Sequence, residues 1–139
     1  MNYSRALEIN PDDGEAHRNR GIAYGKRGLY DPAITDFTKS LQMGQWDSEA
    51  YVGRGIVYAS KGQYDLAIFD LNRALEIDPK YAEAYYNRAV VYFSRGEYDK
   101  SWIDVIKALQ LGFQIPFDFL DDLHKASGSQ DVKVSVFGS

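Results

Sequence analysis

The stretch GIAYGKRG, Gly21 to Gly28, sets two glycines ahead of a lysine in a pattern close to the phosphate-binding loop G-x-x-x-x-G-K-[ST]. That loop works by cradling phosphate oxygens on backbone N–H groups, reaching them with the lysine, and ligating magnesium with the final hydroxyl. Here three residues separate Gly21 from Gly25, and Arg27 follows Lys26 where the hydroxyl belongs. The preceding PDDGEAHRNR is also too polar for the buried strand from which such a loop emerges. Nucleotide binding is not the expectation, and the glycines need another explanation.

Other chemistry is no better supplied. The 2 histidines are His17, at a helix-packing position, and His124, in a C-terminal helix; cysteine is absent, and no nucleophile–base pattern stands out. The acidic pairs Asp12-Asp13 and Asp121-Asp122 lack the ligand spacing of a calcium loop and read as charges near helix N-termini or on a solvated face. The expectation is therefore no enzyme, with no catalytic residue, metal or cofactor.

The bulk properties exclude further classes. Of 139 residues, 45% are hydrophobic and 26% charged, the balance of a folded chain able to build a core. The net charge of −4 comes from interspersed acids and bases, so no basic field is available to neutralise nucleic-acid phosphates. The N-terminus has no apolar signal core, and no window approaches the roughly 18 apolar residues of a membrane span. The chain as given is expected to be soluble and cytoplasmic, with no membrane partner; the compartment stays open because a targeting segment or anchor can lie outside it.

The elements that position these residues follow a period. GEAHRNRGIAYGKRGLYDPAITDFTKSLQM, SEAYVGRGIVYASKGQYDLAIFDLNRALEI and AEAYYNRAVVYFSRGEYDKSWIDVIKALQL start at Gly14, Ser48 and Ala82, a constant step of 34 residues. Each half of each unit carries apolar or small residues at helical spacing, so each unit is two short amphipathic helices. Gly28, Gly62 and Gly96 suit the left-handed residue that ends the first helix, and Asp31, Asp65 and Asp99 suit the N-cap of the second, with Pro32 at its first position. Gly21, Gly55 and Ala89 are expected to face Ala33, Ala67 and Ser101, with Tyr24, Tyr58, Tyr92, Phe37, Leu71 and Val105 as the large residues between the helices. Arg20, Arg54 and Arg88 recur in phase with Asp36, Asp70 and Asp104, which predicts an arginine–carboxylate pair within or between units.

Gly21/Tyr24/Gly28/Tyr30/Ala33/Phe37, Gly55/Tyr58/Gly62/Tyr64/Ala67/Leu71/Ala74/Pro79 and Ala89/Tyr92/Gly96/Tyr98/Ala108 together resemble a tetratricopeptide repeat (TPR) array, and of a bacterial type. The resemblance covers residues 14 to 115 and departs from the family at His17, where Trp or Tyr is preferred, at Ser40 and Ser101, and at Gln45 and Phe113. It implies an all-α fold, a right-handed superhelix of antiparallel helix pairs, or α-solenoid. The expected layout is the second half of a preceding repeat at 1–13, repeats at 14–47, 48–81 and 82–115, a capping helix at 116–127 and a flexible tail at 128–139. In the cap, Phe117, Leu120 and His124 are expected to cover the last pair. The valines of the tail, Val132, Val134 and Val136, alternate like a strand, with edge pairing as the alternative to disorder.

The resemblance also implies a function, protein–protein interaction with a peptide or helix of a partner docked on the concave face. By repeat position that groove carries Arg18, Asn19, Ile22, Gly25 and Lys26, then Val52 and Ile56, then Tyr86, Asn87, Val90 and Phe93. Arg18 and Lys26 favour a carboxylate, Asn19 and Asn87 a peptide backbone, and Gly25 is expected to shape the ligand site without being needed for folding. The carboxylate clamp of chaperone-tail binders is not matched: Ile22, Gly53, Glu83 and Asn87 occupy four of its places, so chaperone C-termini are not expected ligands. The alternatives are a structural spacer or self-associating scaffold, monomeric or weakly oligomeric, or a targeting module of a larger enzyme.

Overall fold

The computed structural model describes residues 2–128, so the valine-rich stretch from Ser129 onward lies outside the described residues. Eight helices and no strand occur among them: α1 (Tyr3–Ile9), α2 (Gly14–Lys26), α3 (Tyr30–Met43), α4 (Ser48–Ser60), α5 (Tyr64–Ile77), α6 (Ala82–Ser94), α7 (Tyr98–Gln110) and α8 (Phe117–Ser127). They fall into two compact units divided between Pro79 and Lys80.

One turn is written three times. Gly28, Gly62 and Gly96 each adopt φ +76°, a left-handed conformation that costs glycine nothing, and the N–H of the following residue bonds back to Tyr24, Tyr58 or Tyr92 at 2.9 Å. This closure makes Leu29, Gln63 and Glu97 the N-cap residues of the next helices, with no side-chain cap. The expected caps Asp31, Asp65 and Asp99 therefore lie inside the first turn, where they complement the positive helix end instead of capping it. Pro32 is correspondingly the third helical residue, still among positions whose N–H has no helical acceptor. Side-chain caps occur one helix earlier: Asp13 accepts from the Ala16 N–H at 3.0 Å and Asp47 from that of Ala50 at 3.1 Å.

In the first unit, α2 packs on α3, α3 on α4 and α4 on α5, with α1 lying against α2. Phe37, 1% exposed, is the central knob. A Cβ placed on Gly21 comes to 3.2 Å from its ring, and one on Gly53 to 2.5 Å, so α2 and α4 both close on one aromatic. Gly21 thus lies against Phe37 more than against Ala33. At Gly55 the expected close approach is present: a Cβ there would stand 3.3 Å from the Ala67 carbonyl and 3.2 Å from the Leu71 side chain.

In the second unit, Ala89, Trp102, Val105, Leu120 and Leu123 form the buried core, flanked by Phe93, Tyr98, Leu109, Ile115 and Phe119. Ser101 is fully buried and satisfied by donating to the Ala89 carbonyl at 2.7 Å, so the small pair Ala89–Ser101 is joined as well as close. The cap α8 seats Leu120, Leu123 and Phe119 on α6 and α7. Phe117, expected to be part of that seat, is 74% exposed, because the helix starts at this residue and its buried stripe begins two positions later. Ser127 accepts the Trp102 indole N–H at 3.1 Å, and Gly128, placed in the tail by sequence, closes α8 with φ 62°.

Candidate functional site on the first-helix wall

The charged pairs hold each helix pair in register. Arg20 donates from Nε and Nη2 to both oxygens of Asp36 at 2.6 and 2.8 Å, Arg54 to Asp70 at 2.8 and 2.8 Å, and Arg88 to Asp104 at 2.7 and 2.7 Å. Every fork joins the first helix of a pair to its own second helix, so the pairing is within units. The carboxylates are buried at 1%, 1% and 2% exposure, which rules out reading these pairs as solvated surface charges. The tyrosines one turn on also take part: the guanidinium carbons of Arg20, Arg54 and Arg88 lie 5.6, 5.8 and 5.9 Å from the ring centroids of Tyr24, Tyr58 and Tyr92.

The three aspartates differ in their protonation energetics. Burial pushes the Asp36 carboxyl up, but hydrogen bonds from Arg20 and from His17, whose Nδ1 is 3.1 Å away, outweigh it and leave Asp36 below the usual carboxylate range. Asp70 and Asp104 have an arginine but no histidine, and burial carries them above that range. Arg54 rises through the same pair that fails to lower Asp70; its side chain is 16% exposed against 1% for the carboxylate, so desolvation falls mainly on the acid. His17 is buried and structural, as expected, with its Nε2 2.9 Å from the Pro11 carbonyl.

The wall residues separate into those already occupied and those open. In the first unit Arg18 donates to Asp47 at 2.8 Å and lies 3.7 Å from Glu49, so it bridges α2 to the start of α4 and is not a free cation for a ligand carboxylate. Val52 is 3% exposed and belongs to the buried set. Gly25 is not unconstrained: a Cβ there would come to 3.2 Å from Val57 of α4, itself 4% exposed. Ile56 remains 38% exposed and Ile22 half-buried, while the amide of Asn19 and the ammonium of Lys26 have no polar partner among the described residues. In the second unit Tyr86 stacks on Phe113 at 5.2 Å and meets Phe119 edge-on at 5.6 Å, and Phe93 meets Phe119 at 5.6 Å. These two aromatics are thus covered by the capping segment. Asn87 Nδ2 is enclosed without a hydrogen-bond partner, and Val90 is half-buried.

Residues 55–96 match the family described as TPR repeat, and residues 82–111 that described as tetratricopeptide repeat. The chain is a tetratricopeptide-repeat protein. Among solved structures this TPR chain is similar to the crystal structure of MamA, at 27% identity and TM-score 0.81 over 97% of this chain and 80% of that one. A second structure, of MamA protein, matches at 28% identity and TM-score 0.82 over 97% and 75%. The first TPR of Spaghetti (RPAP3) bound to HSP90 peptide SRMEEVD matches at 24% identity and TM-score 0.76 over 83% and 90%. No curated protein matches the sequence. Eight helices, the recurring turns and these likenesses make the fold an all-α TPR solenoid, an architecture of interaction scaffolds.

Two TPR features escaped the sequence reading although their signals were present. Phe37 is larger than its counterparts Leu71 and Val105, and Gly53 smaller than Asn19 and Asn87, a matched large and small pair that marks the Phe37 slot. Trp102 replaces Ile34 and Ile68 at its repeat position and is 2% exposed, so the second unit centres on a residue that the period alone treated as ordinary.

Proposed function

We propose that this TPR chain is a protein-interaction module that takes an extended peptide or partner helix along its first helices, with the segment of α2 and α4 bearing Asn19, Ile22, Lys26 and Ile56 as the contact. The observation carrying this reading is the coexistence there of exposed isoleucine surface with an amide and an ammonium that nothing in the fold engages. A surface of this kind gains from burying the isoleucines while giving a backbone carbonyl to Asn19 and an acidic side chain to Lys26. No helix among the described residues is long and apolar enough to cross a membrane.

The structure of Spaghetti's first TPR with an HSP90 peptide illustrates this use of the fold; at 24% identity it supports the fold, not the ligand. The chaperone tail remains an unexpected ligand, since Arg18, the one basic residue of this chain at a matching clamp place, is held by Asp47. The experiment is selection of a peptide from a random library on the wild-type chain, followed by affinity measurement on Lys26→Glu and Ile56→Lys. Both variants should weaken binding at least tenfold. A peptide bound equally by all three contradicts this contact, and self-association in sedimentation with no peptide selected favours the scaffold alternative. Tyr86 and Phe93 are unsuitable probes, because truncating either disturbs its packing on Phe119.

A further inference from the structure

The aromatic place that Tyr51 fills in the second helix pair is held by the smaller His17 in the first, 34 residues earlier, and the space is left open. Tyr51 is 9% exposed, and the guanidinium carbons of Arg54 and Arg73 lie 5.8 and 5.7 Å from its ring centroid. At the same steps in the first pair stand Arg20 and Lys39, which line a pocket of about 530 Å³ together with His17, Leu7 and Met43. His17 does not fill it, because its ring is held by Asp36 at 3.1 Å and by the Pro11 carbonyl at 2.9 Å. Arg20 keeps the fork to Asp36 that Arg54 makes to Asp70, and Lys39 is the less engaged cation. Arg20 reaches Ser4 at 3.5 Å where Arg54 reaches Thr38 at 3.1 Å, and Lys39 has no ion partner among the described residues, whereas Arg73 pairs with Glu76.

We propose that this pocket is a binding site for a phenol ring, free or carried on a partner's tyrosine, which takes the place that Tyr51 fills from within. Leu7 and Met43 give an apolar and thioether wall, and Lys39 and Arg20 supply cations for the ring face. Glu8 and Asp12 also line the pocket and, with Asp36 behind it, disfavour an anionic ligand while offering acceptors to a phenol hydroxyl. The pocket is open to solvent and has room for a single ring. It lies on a different side of α2 from Ile22 and Lys26, so it stands apart from the peptide contact proposed above.

The test is NMR titration of the isotope-labelled chain with p-cresol, with N-acetyl-tyrosine amide and with the saturated analogue 4-methylcyclohexanol. Saturable shifts at Lys39 and the Met43 methyl are expected for both phenols, with a Kd on the order of 1 mM for a single ring. The saturated analogue should bind more weakly because it offers no π face. His17→Tyr should keep the fold and abolish the shifts by filling the pocket, and Tyr51→His should open a second site that the phenols shift at Arg73. Lys39→Ala, at an exposed residue that folding does not need, should weaken the phenols about two- to fivefold and leave the saturated analogue unchanged. Tighter binding of the tyrosine amide assigns the ring to a partner, and equal binding of p-cresol to recognition of the ring alone. Absence of saturable shifts in the wild type, or shifts undiminished in His17→Tyr, overturns the proposal.

Discussion

Arg54 and Asp70 meet through two parallel hydrogen bonds of 2.8 Å each, where the carboxylate is 1% exposed. Removing the arginine leaves a charge with no solvent and no partner, so Arg54→Ala should destabilise the chain by about 3–5 kcal/mol in urea unfolding. Asp70→Ala should cost a similar amount, and the double variant distinctly less than the two together. Additive effects contradict a joined pair.

Acid titration should separate the three aspartates. Asp36 is depressed in the folded state, so its contribution to stability is present above its unfolded pKa and is lost only as pH falls through its low folded value. Asp70 and Asp104 are raised; the folded state favours their neutral form, and that contribution is lost as pH rises through their folded values. Carboxyl ¹³C shifts followed downward from neutral pH should therefore show Asp70 and Asp104 taking up protons before Asp36. In His17→Phe, which removes one donor, Asp36 should move up toward the other two. Asp36 titrating first in the wild type contradicts the assignment of its causes.

Two glycines should behave in a definite order. Gly53→Ala places a methyl 2.5 Å from the Phe37 ring, which is 1% exposed and also lies against Gly21, and should cost about 1–3 kcal/mol or more. Gly25→Ala meets Val57 at 3.2 Å, a contact a few tenths of an ångström of adjustment relieves, and should cost less. Gly25→Phe has no such escape and should lower stability together with any ligand binding. Thermal unfolding of the three variants checks the order.

Shortening Phe119 should loosen the second unit. Its ring meets both Tyr86 and Phe93 at 5.6 Å, so Phe119→Ala is expected to destabilise by about 3–5 kcal/mol, while Phe117→Ala, at a residue 74% exposed, should be near neutral. Equal effects would place the seat of α8 on the wrong side.

Much of this was legible in the sequence because a period of 34 residues repeats each local decision three times. The turn glycines and the Arg20/Asp36 class of pair follow from residue types in phase. What failed was local chemistry that depends on how a turn closes: the glycine turn draws the helix start back to Tyr30, so Asp31 cannot be the cap. The wall failed in a similar way, since repeat position fixes which side of a helix a residue occupies but not what stands opposite. Arg18 found Asp47, Phe93 found Phe119, and Val52 was buried, whereas Asn19, Ile22, Lys26 and Ile56 stayed open. His17 was readable as structural, but the space it leaves relative to Tyr51 needed coordinates.

Whether the open part of the α2 and α4 wall receives a partner is tested most directly by the NMR footprint of a library-selected peptide on the labelled chain. Shift changes should concentrate at Asn19, Ile22, Lys26 and Ile56 and be lost in Lys26→Glu. A footprint centred instead on the exposed Leu66 and Phe69 of α5, with those four residues unmoved, would contradict a partner site on this wall.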